Sequence, residues 1–169
     1  GSLHVTKVFI VGGPGAVPAD VDGRLENMGI KVTRIAGQDR YETAVNIAKM
    51  LGEFNEIAVA TGEDFPDALS IAPFAAKKQI PIILVPKDDI PECVDRFIKS
   101  SSISCTYVIG DSTAVSFETE IEFPGVQRIG SLDRYFTNSY VEKRFSDVLN
   151  SGKVFIISAD DFPDGLSCS

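Results

Sequence analysis

The chain repeats itself, and this repetition constrains its fold more than any other feature. Arg34–Thr43 (RIAGQDRYET) returns 94 residues later as Arg128–Thr137 (RIGSLDRYFT), with six of ten positions identical. Asp64–Ser70 (DFPDALS) returns 97 residues later as Asp161–Ser167 (DFPDGLS). Blocks that recur in one order at nearly one spacing predict a tandem array of domain-sized modules, each about 95 residues long.

A third block, Phe9–Gly12, returns as Tyr107–Gly110 after 98 residues. We therefore predict that residues 1–33 form the C-terminal part of a preceding repeat and 34–127 one full repeat. Residues 128–169 then form the truncated N-terminal part of a following repeat. Gly1-Ser2 looks like a tag remnant, so we expect any signal peptide to lie outside this sequence.

Composition restricts the function classes. Apolar residues make up 44% of the 169 residues and charged residues 24%, which is typical of a globular domain. The net charge of −8 disfavours nucleic acid and anionic membranes as partners. The three cysteines lack paired spacing and His4 is the only histidine, so we expect reduced thiols, no metal site and no Ser-His-Asp triad.

Apolar runs and helical patterns alternate along the chain, which predicts parallel sheets with helices on both sides. The predicted strands are 5–11, 31–35, 56–61, 80–85, 106–109, 126–129 and 153–158. The predicted helices are 18–28, 43–51, 67–77, 91–99, 116–121 and 133–149. The fold class that follows is α/β, with Rossmann-like three-layer modules in tandem.

Gly12–Gly15, between a strand and a helix, has two interpretations. A dinucleotide-binding turn would need a further glycine at position 18, where Pro18 stands. The second copy keeps only Gly110 of these glycines. A tight turn is therefore favoured over a phosphate cradle.

The repeated arginine block lies where a strand ends and a helix begins. Asp39 and Asp133 can cap these helices. The arginines suit bidentate contacts with carboxylate or phosphate; they are Arg34, Arg40, Arg128 and Arg134. The alternative is that they form ion pairs with Asp64 and Asp67, within a module or between modules.

The repeated Asp-Phe-Pro-Asp block reads as a loop that enters a helix, with Pro66 in the first turn. Its carboxylates could cap the helix and form ion pairs, contact a ligand, or act as general acid and base. Since the sequence supplies no nucleophile, catalysis is the weakest of these interpretations.

The blocks together resemble the cell wall binding repeat 2 family. The resemblance rests on Arg34–Ala44, Asp64–Ser70, Pro81–Val85 and Tyr107–Gly110, and on Ala114-Val115 after them, in the order of the family. It implies Rossmann-like modules that are usually present in three copies packed around a pseudo-threefold axis. It also implies a non-catalytic anchor, without cofactor, on the cell wall surface of a Gram-positive bacterium, as in surface-layer proteins.

The partners implied are an anionic secondary cell-wall polymer and neighbouring repeats, with a homo-oligomer also open. We expect polymer-binding residues in the two arginine blocks and the two aspartate loops. They are Arg34, Asp39, Arg40, Tyr41, Asp64, Asp67, Arg128, Asp133, Arg134, Tyr135, Asp161 and Asp164. Other functions left open are a structural repeat scaffold, or a small Rossmann-type enzyme that binds a nucleotide or sugar phosphate.

Overall fold

The computed structural model describes residues 4–148, 156–158, 160–161 and 163–168. In this part of the chain the strands are β1 (Lys7–Val11), β2 (Lys31–Ile35), β3 (Glu56–Thr61), β4 (Ile82–Val85), β5 (Cys105–Ile109) and β6 (Val126–Ile129). The helices are α1 (Asp20–Asn27), α2 (Arg40–Leu51), α3 (Pro66–Lys78), α4 (Glu92–Ser100), α5 (Phe117–Glu120), α6 (Arg134–Arg144) and α7 (Pro163–Cys168).

The strands form two sheets, and all the pairings are parallel. β1 pairs with β2, and the larger sheet has the order β4-β3-β5-β6. The connections between parallel neighbours run through helices, as parallel pairing requires. The predicted α/β class with parallel sheets is confirmed.

The larger sheet carries helices on both faces. On one face Val45 and Ala48 of α2 pack with Val94 and Phe97 of α4 against alternate sheet residues such as Val59. On the other face α3 packs with α6 and the residue that caps it, Phe145. Phe145 stacks on Phe74 of α3 with ring centroids 3.4 Å apart. These are the three layers that the alternating pattern predicts.

The repeat is visible in the pairing of strands. β1 and β2 are the sequence equivalents of β5 and β6, and both pairs are joined in the same parallel register. The helices that follow, α2 and α6, are also equivalent, yet they lie on opposite faces of the larger sheet. The same repeated element therefore meets this sheet from one side in the first copy and from the other in the second.

Element boundaries differ from prediction mainly near the C-terminus. α6 ends at Arg144, and 145–148 form turns, whereas a helix to 149 is predicted. In the strand predicted over 153–158, residues 156–158 have no regular structure, and 153–155 lie outside the described residues. The division of the chain into repeats at 34 and 128 stays a prediction.

Candidate binding crevice

A crevice opens at the carboxyl ends of β3 and β5. The chain leaves β3 for β4 on one side and returns to β5 on the other, which makes this point the topological switch point of the larger sheet. Open α/β sheets bind ligands at such points. The crevice has a volume of about 250 Å³ and is lined by Thr61, Glu63, Asp64, Pro66, Asp67, Asp111, Thr113, Ala114, Ser131, Leu132, Arg134 and Thr137.

One wall is the loop from β3 into α3, which contains the first Asp-Phe-Pro-Asp block. The Thr61 hydroxyl accepts from the Glu63 N–H at 3.1 Å, and Asp64 Oδ1 accepts from the Phe65 N–H at 2.8 Å. Pro66 then starts α3, because a proline in the first turn loses no helical hydrogen bond. These local hydrogen bonds lie in the loop that leads into the first turn of α3, where Asp67 stands.

The opposite wall is the loop after β5. Gly110 has φ +97°, a conformation that favours glycine, and a Cβ there would overlap a carboxylate oxygen of Asp67. The repeated glycine therefore allows Asp67 of α3 to approach the end of β5. Asp111 follows, and its Oδ1 accepts from the Thr113 N–H at 3.0 Å and from the Thr113 hydroxyl at 2.6 Å.

The two facing aspartates have different electrostatic environments. Burial, together with the charges of Asp111 and Asp64, raises the pKa of Asp67 to about 6, against the opposing charge of Arg134. Burial also acts to raise the pKa of Asp111, but hydrogen bonds from Thr113 and Ala114 outweigh it and lower that pKa. The second oxygen of Asp111, Oδ2, is buried and has no hydrogen-bond partner in the described structure.

Arg134 closes the crevice from the start of α6. Its Nη2 donates to Asp64 Oδ2 at 3.3 Å, and its guanidinium lies 5.9 Å from the centre of the Phe65 ring. The loop before it is held by the Ser131 N–H, which donates to the Thr137 hydroxyl at 3.1 Å. The predicted ion pair between the arginine block and Asp64 thus exists for Arg134.

Arg40, the equivalent of Arg134, contacts the same β3–α3 loop from its other side. Its Nη1 donates to the carbonyl oxygen of Gly62. Tyr41 lies beside it, close enough that a Cβ at Gly62 would overlap its ring. Burial and the charge of Glu63 raise the pKa of Tyr41. Both copies of the arginine block therefore converge on one loop.

The first arginine of each block forms an ion pair within the module. Arg34 Nε donates to Asp22 Oδ1 at 3.1 Å, and this hydrogen bond lowers the pKa of Asp22. Arg128 Nε and Nη2 donate to Glu120 Oε2 at 2.8 and 2.5 Å. Both guanidinium groups also donate to strand-end and turn carbonyl oxygens at equivalent positions. Asp22 and Glu120 are themselves 98 residues apart, a repeat that the sequence contains.

The remaining expected site residues lie outside the crevice. Asp39 caps α2 by accepting from the Glu42 N–H, and Asp133 caps α6 by accepting from the Tyr135 and Phe136 N–H groups. Tyr135 is exposed on α6. Asp161, which precedes α7, and Asp164, in its first turn, are both exposed. α7 lies against α3, since a Cβ at Gly165 would sit 2.8 Å from Leu69 Cδ1.

Of the expected residues, the crevice brings together Asp64, Asp67 and Arg134. It also contains Asp111, which was not expected. The available signal was its place directly after the repeated Tyr107–Gly110 block, at the end of a strand. The pairing of β3 with β5 could not be predicted, because the order of strands in a sheet does not follow from the pattern of elements alone.

The glycine turn carries no sign of a phosphate cradle. The Gly12 N–H donates to the Ile35 carbonyl at 2.8 Å, and the Gly13 carbonyl accepts from the N–H groups of Ala16 and Val17. α1 begins only at Asp20. The turn is therefore internally bonded and separated from the helix start, as a tight turn is.

The described residues were also compared with the requirements of a metal site, a membrane span and a disulfide bond. No group of three or more His, Cys, Asp or Glu among the described residues is arranged to hold a metal ion. No helix in the part of the chain that the structure describes is long and apolar enough to cross a membrane. Cys93 and Cys105 are unpaired and half-buried.

Comparison with known proteins identifies the family. The family model described as Cell wall binding domain 2 (CWB2) matches residues 34–120, which is just over half of the chain. The chain belongs to the cell wall binding domain 2 family. It is therefore a cell-wall-associated binding module of non-catalytic type, and the resemblance stated from the repeated blocks is confirmed.

Similar proteins agree with this membership. The chain is 29% identical over 165 residues to N-acetylmuramoyl-L-alanine amidase LytC of Bacillus subtilis, covering 98% of this chain and 33% of that protein. It is 35% identical over 163 residues to the amidase enhancer of the same organism, covering 95% of this chain and 22% of that protein. It thus spans a third or less of these relatives.

A solved structure shares the fold. Cwp6 from Clostridium difficile superposes with a TM-score of 0.77 at 32% identity, over 84% of this chain and 24% of that one. The CWB2 module described here therefore has the architecture of a part of that longer chain.

Proposed function

We propose that this module holds its parent protein on the bacterial surface by binding a secondary polymer of the cell wall in the crevice between β3 and β5. The polymer class is the anionic secondary polymers of Gram-positive walls. Each repeat binds weakly, and several repeats that bind the same polymer together give a high overall affinity. The observation that carries the proposal is a polar crevice at the switch point of a sheet that belongs to a CWB2 module.

The contact residues in this proposal are Asp64, Asp67 and Arg134, with Tyr135 beside them on α6. Arg34 and Arg128 support it indirectly, because their ion pairs fix the ends of the strands. Asp39 and Asp133 hold the helix starts that present Arg40 and Arg134. The polymer then contacts side chains whose positions are set by the repeated block.

The test is co-sedimentation of the purified chain with Gram-positive cell walls, before and after acid extraction of the secondary polymers. Arg134→Ala is compared with Arg24→Ala, which removes the same charge from an exposed pair on α1. We expect binding to intact walls alone, weakened in Arg134→Ala and unchanged in Arg24→Ala. Equal sedimentation with intact and extracted walls, or with neither, overturns the proposal.

A second role, packing against neighbouring repeats, is favoured by a different surface. Phe9 and Val11 of β1 and Leu51 of α2 are exposed although they are large and apolar. Sedimentation velocity of the wild type and of Phe9→Glu tests whether copies of the chain associate through this surface. Association that Phe9→Glu abolishes supports the packing role, and a strictly monomeric wild type argues against association through copies of this chain.

A further inference from the structure

The apolar cluster on the α3 face of the larger sheet is built from two halves. One half comes from β3, α3 and the segment between α3 and β4, and consists of Ala58, Ala60, Ile71, Phe74, Ala75 and Ile80. The other half comes from β5, β6 and the end of α6, and consists of Tyr107, Ile109, Ile129, Val141 and Phe145. Each half covers the other, because the apolar face of a sheet or helix is buried only against a second element.

The first copy of the repeat contains the second half of this cluster without the first. The equivalent residues lie 98 residues earlier for the two of β5 and 94 residues earlier for the other three, and they are Phe9, Val11, Ile35, Ile47 and Leu51. All five are apolar, yet Phe9, Val11 and Leu51 are 49%, 53% and 49% exposed. We call these five residues the open surface. It has the composition of a surface that a β3–α3 unit covers in the second copy.

The apolar character of the open surface is not a general property of the repeated helix. Another face of α2 is buried against its own sheet, and it consists of Ala44, Val45 and Ala48. The equivalent residues on α6 are exposed and polar, and they are Asn138, Ser139 and Glu142. A face that is uncovered in the second copy is thus polar, whereas the open surface of the first copy is apolar at every position. Exposed apolar patches of this kind mark interaction sites.

β1 also has an open backbone edge beside this surface. The Gly12 N–H, at the end of β1, donates towards β2, to the carbonyl oxygen of Ile35 at 2.8 Å. Because successive residues of a paired strand bond to opposite sides, the N–H groups of Phe9 and Val11 point away from β2. β3 occupies the equivalent edge of β5, whereas within the described residues β1 has β2 as its one neighbouring strand. An unpaired strand edge is a template for an added strand.

We infer that the open surface binds the β3–α3 unit of another copy of the repeat. Its strand pairs in parallel with the open edge of β1, with the equivalent of Ala58 opposite Phe9, and its helix covers Val11 and Leu51. The β3 of this chain has β4 and β5 on its two sides, so the added unit comes from a different repeat. α2 then contacts two sheets, its own through Val45 and the other through Leu51. This inference rests on the packing role proposed above and names the segment that packs and its register.

The test extends the full chain by a second copy of residues 40–98, which contain α2, β3, α3, β4 and most of α4, placed ahead of Gly1. Gly1 lies 98 residues before Lys99, so the added copy runs into β1 as residues 40–98 run into β5. We expect the N–H groups of Phe9 and Val11 to exchange at least about tenfold more slowly in the extended chain, because they gain partners. Exchange in β5, which is already paired on both sides, should not change.

Phe9→Glu tests the side chains of the open surface. It should lower the melting temperature by at least about 4 °C more in the extended chain than in the original one, because only the extended chain buries the new charge. The control is Met28→Glu, at a residue that is 73% exposed and whose equivalent in the second copy is the exposed Glu122. It should have the same effect in both chains.

The two measurements separate the possible failures. Unchanged exchange at Phe9 and Val11 overturns the strand addition, and a larger effect of Phe9→Glu in the extended chain would then leave the packing role standing with another partner segment. Unchanged exchange together with equal effects of Phe9→Glu overturns both. An added copy that stays unfolded also overturns the inference, because the same residues fold when β5 and β6 are their neighbours. Wall binding enters neither measurement, so the anchoring function is tested separately.

Discussion

The two copies of one strand pair have opposite environments. Phe9 and Val11 of β1 are 49% and 53% exposed, whereas their equivalents in β5, Tyr107 and Ile109, are 5% and 0% exposed. The difference lies in the neighbours, because β5 is paired with β3 and covered by α3. Within the described residues β1 has β2 as its one neighbouring strand. The burial of a strand pair in this repeat therefore depends on the βα unit that packs beside it. Apolar residues in the strands alone do not bury the pair.

The helix after each strand pair shows the same contrast. Phe145, which caps α6, is 4% exposed and stacks on Phe74, while its equivalent Leu51 at the end of α2 is 49% exposed. We expect Phe145→Ala to lower the free energy of unfolding by about 3–5 kcal/mol, since it opens a cavity in a packed core. Leu51→Ala should change it by less than about 1 kcal/mol.

Urea denaturation of both variants measures this difference. Equal losses for the two variants would mean that the end of α2 is also covered in solution. The two helix ends would then have the same environment, which would show that the β1–β2 unit has a partner at this position.

The ion pairs of the first arginines lie at equivalent positions in the two copies, but Arg34 contacts both carboxylate oxygens of Asp22, whereas Arg128 contacts one oxygen of Glu120. Arg128 of β6 and Glu120 of α5 have side chains that are only 17% and 12% exposed. Arg128→Ala should cost about 2–3 kcal/mol, because it leaves Glu120 largely buried without its partner. Arg34→Ala should cost less and act locally on β1 and β2.

Thermal melting measures the global effect, and hydrogen exchange of the backbone N–H groups measures the local one. We expect Arg34→Ala to accelerate exchange in β1 and β2 and to leave β5 and β6 unchanged. Faster exchange throughout the chain would show that the two sheets unfold together. The exposed pair β1–β2 would then be part of the same cooperative unit as the buried pair β5–β6.

The sequence predicts the fold well because the fold depends on local pattern. The alternation of apolar strands and amphipathic helices is sufficient for parallel sheets, and Asp39 and Asp133 are predicted correctly as helix caps. The candidate site depends on long-range order, which the pattern does not contain. In the sequence Arg34 and Arg40 are equally good candidates for polymer binding. In the structure Arg34 forms an ion pair with Asp22, whereas Arg40 contacts the loop after β3. Asp111 enters the crevice only because β5 lies beside β3.

The two aspartate loops extend the comparison to pH. The pKa of Asp67 is raised in the folded state, so the folded protein binds this proton more tightly than the unfolded chain does. The stabilisation is complete below about pH 4 and is lost as the pH rises through about 6. Asp67→Asn should remove this fall in stability, which we expect to be about 1–2 kcal/mol for a partly screened carboxyl.

Asp164, at the equivalent position of the second loop, is exposed and provides the matched control. Urea denaturation between pH 4 and 7 should give the same profile for Asp164→Asn as for the wild type. A wild-type profile for Asp67→Asn as well would contradict the burial of Asp67 beside Gly110.

The helix caps are expected to give the smallest effect. Asp39 accepts from one backbone N–H of α2, and Asp133 accepts from two of α6, so Asp→Ala at either position should cost about 1 kcal/mol in unfolding free energy. Asp133→Ala should in addition weaken polymer binding, because α6 begins with Arg134 at the crevice, whereas Asp39→Ala should not. Unfolding and wall binding measured on both variants therefore separate what the repeated block does for the fold from what one copy of it does for the site. Equal loss of binding in both would mean that the two copies act alike and that the crevice extends to the Arg40 side of the loop.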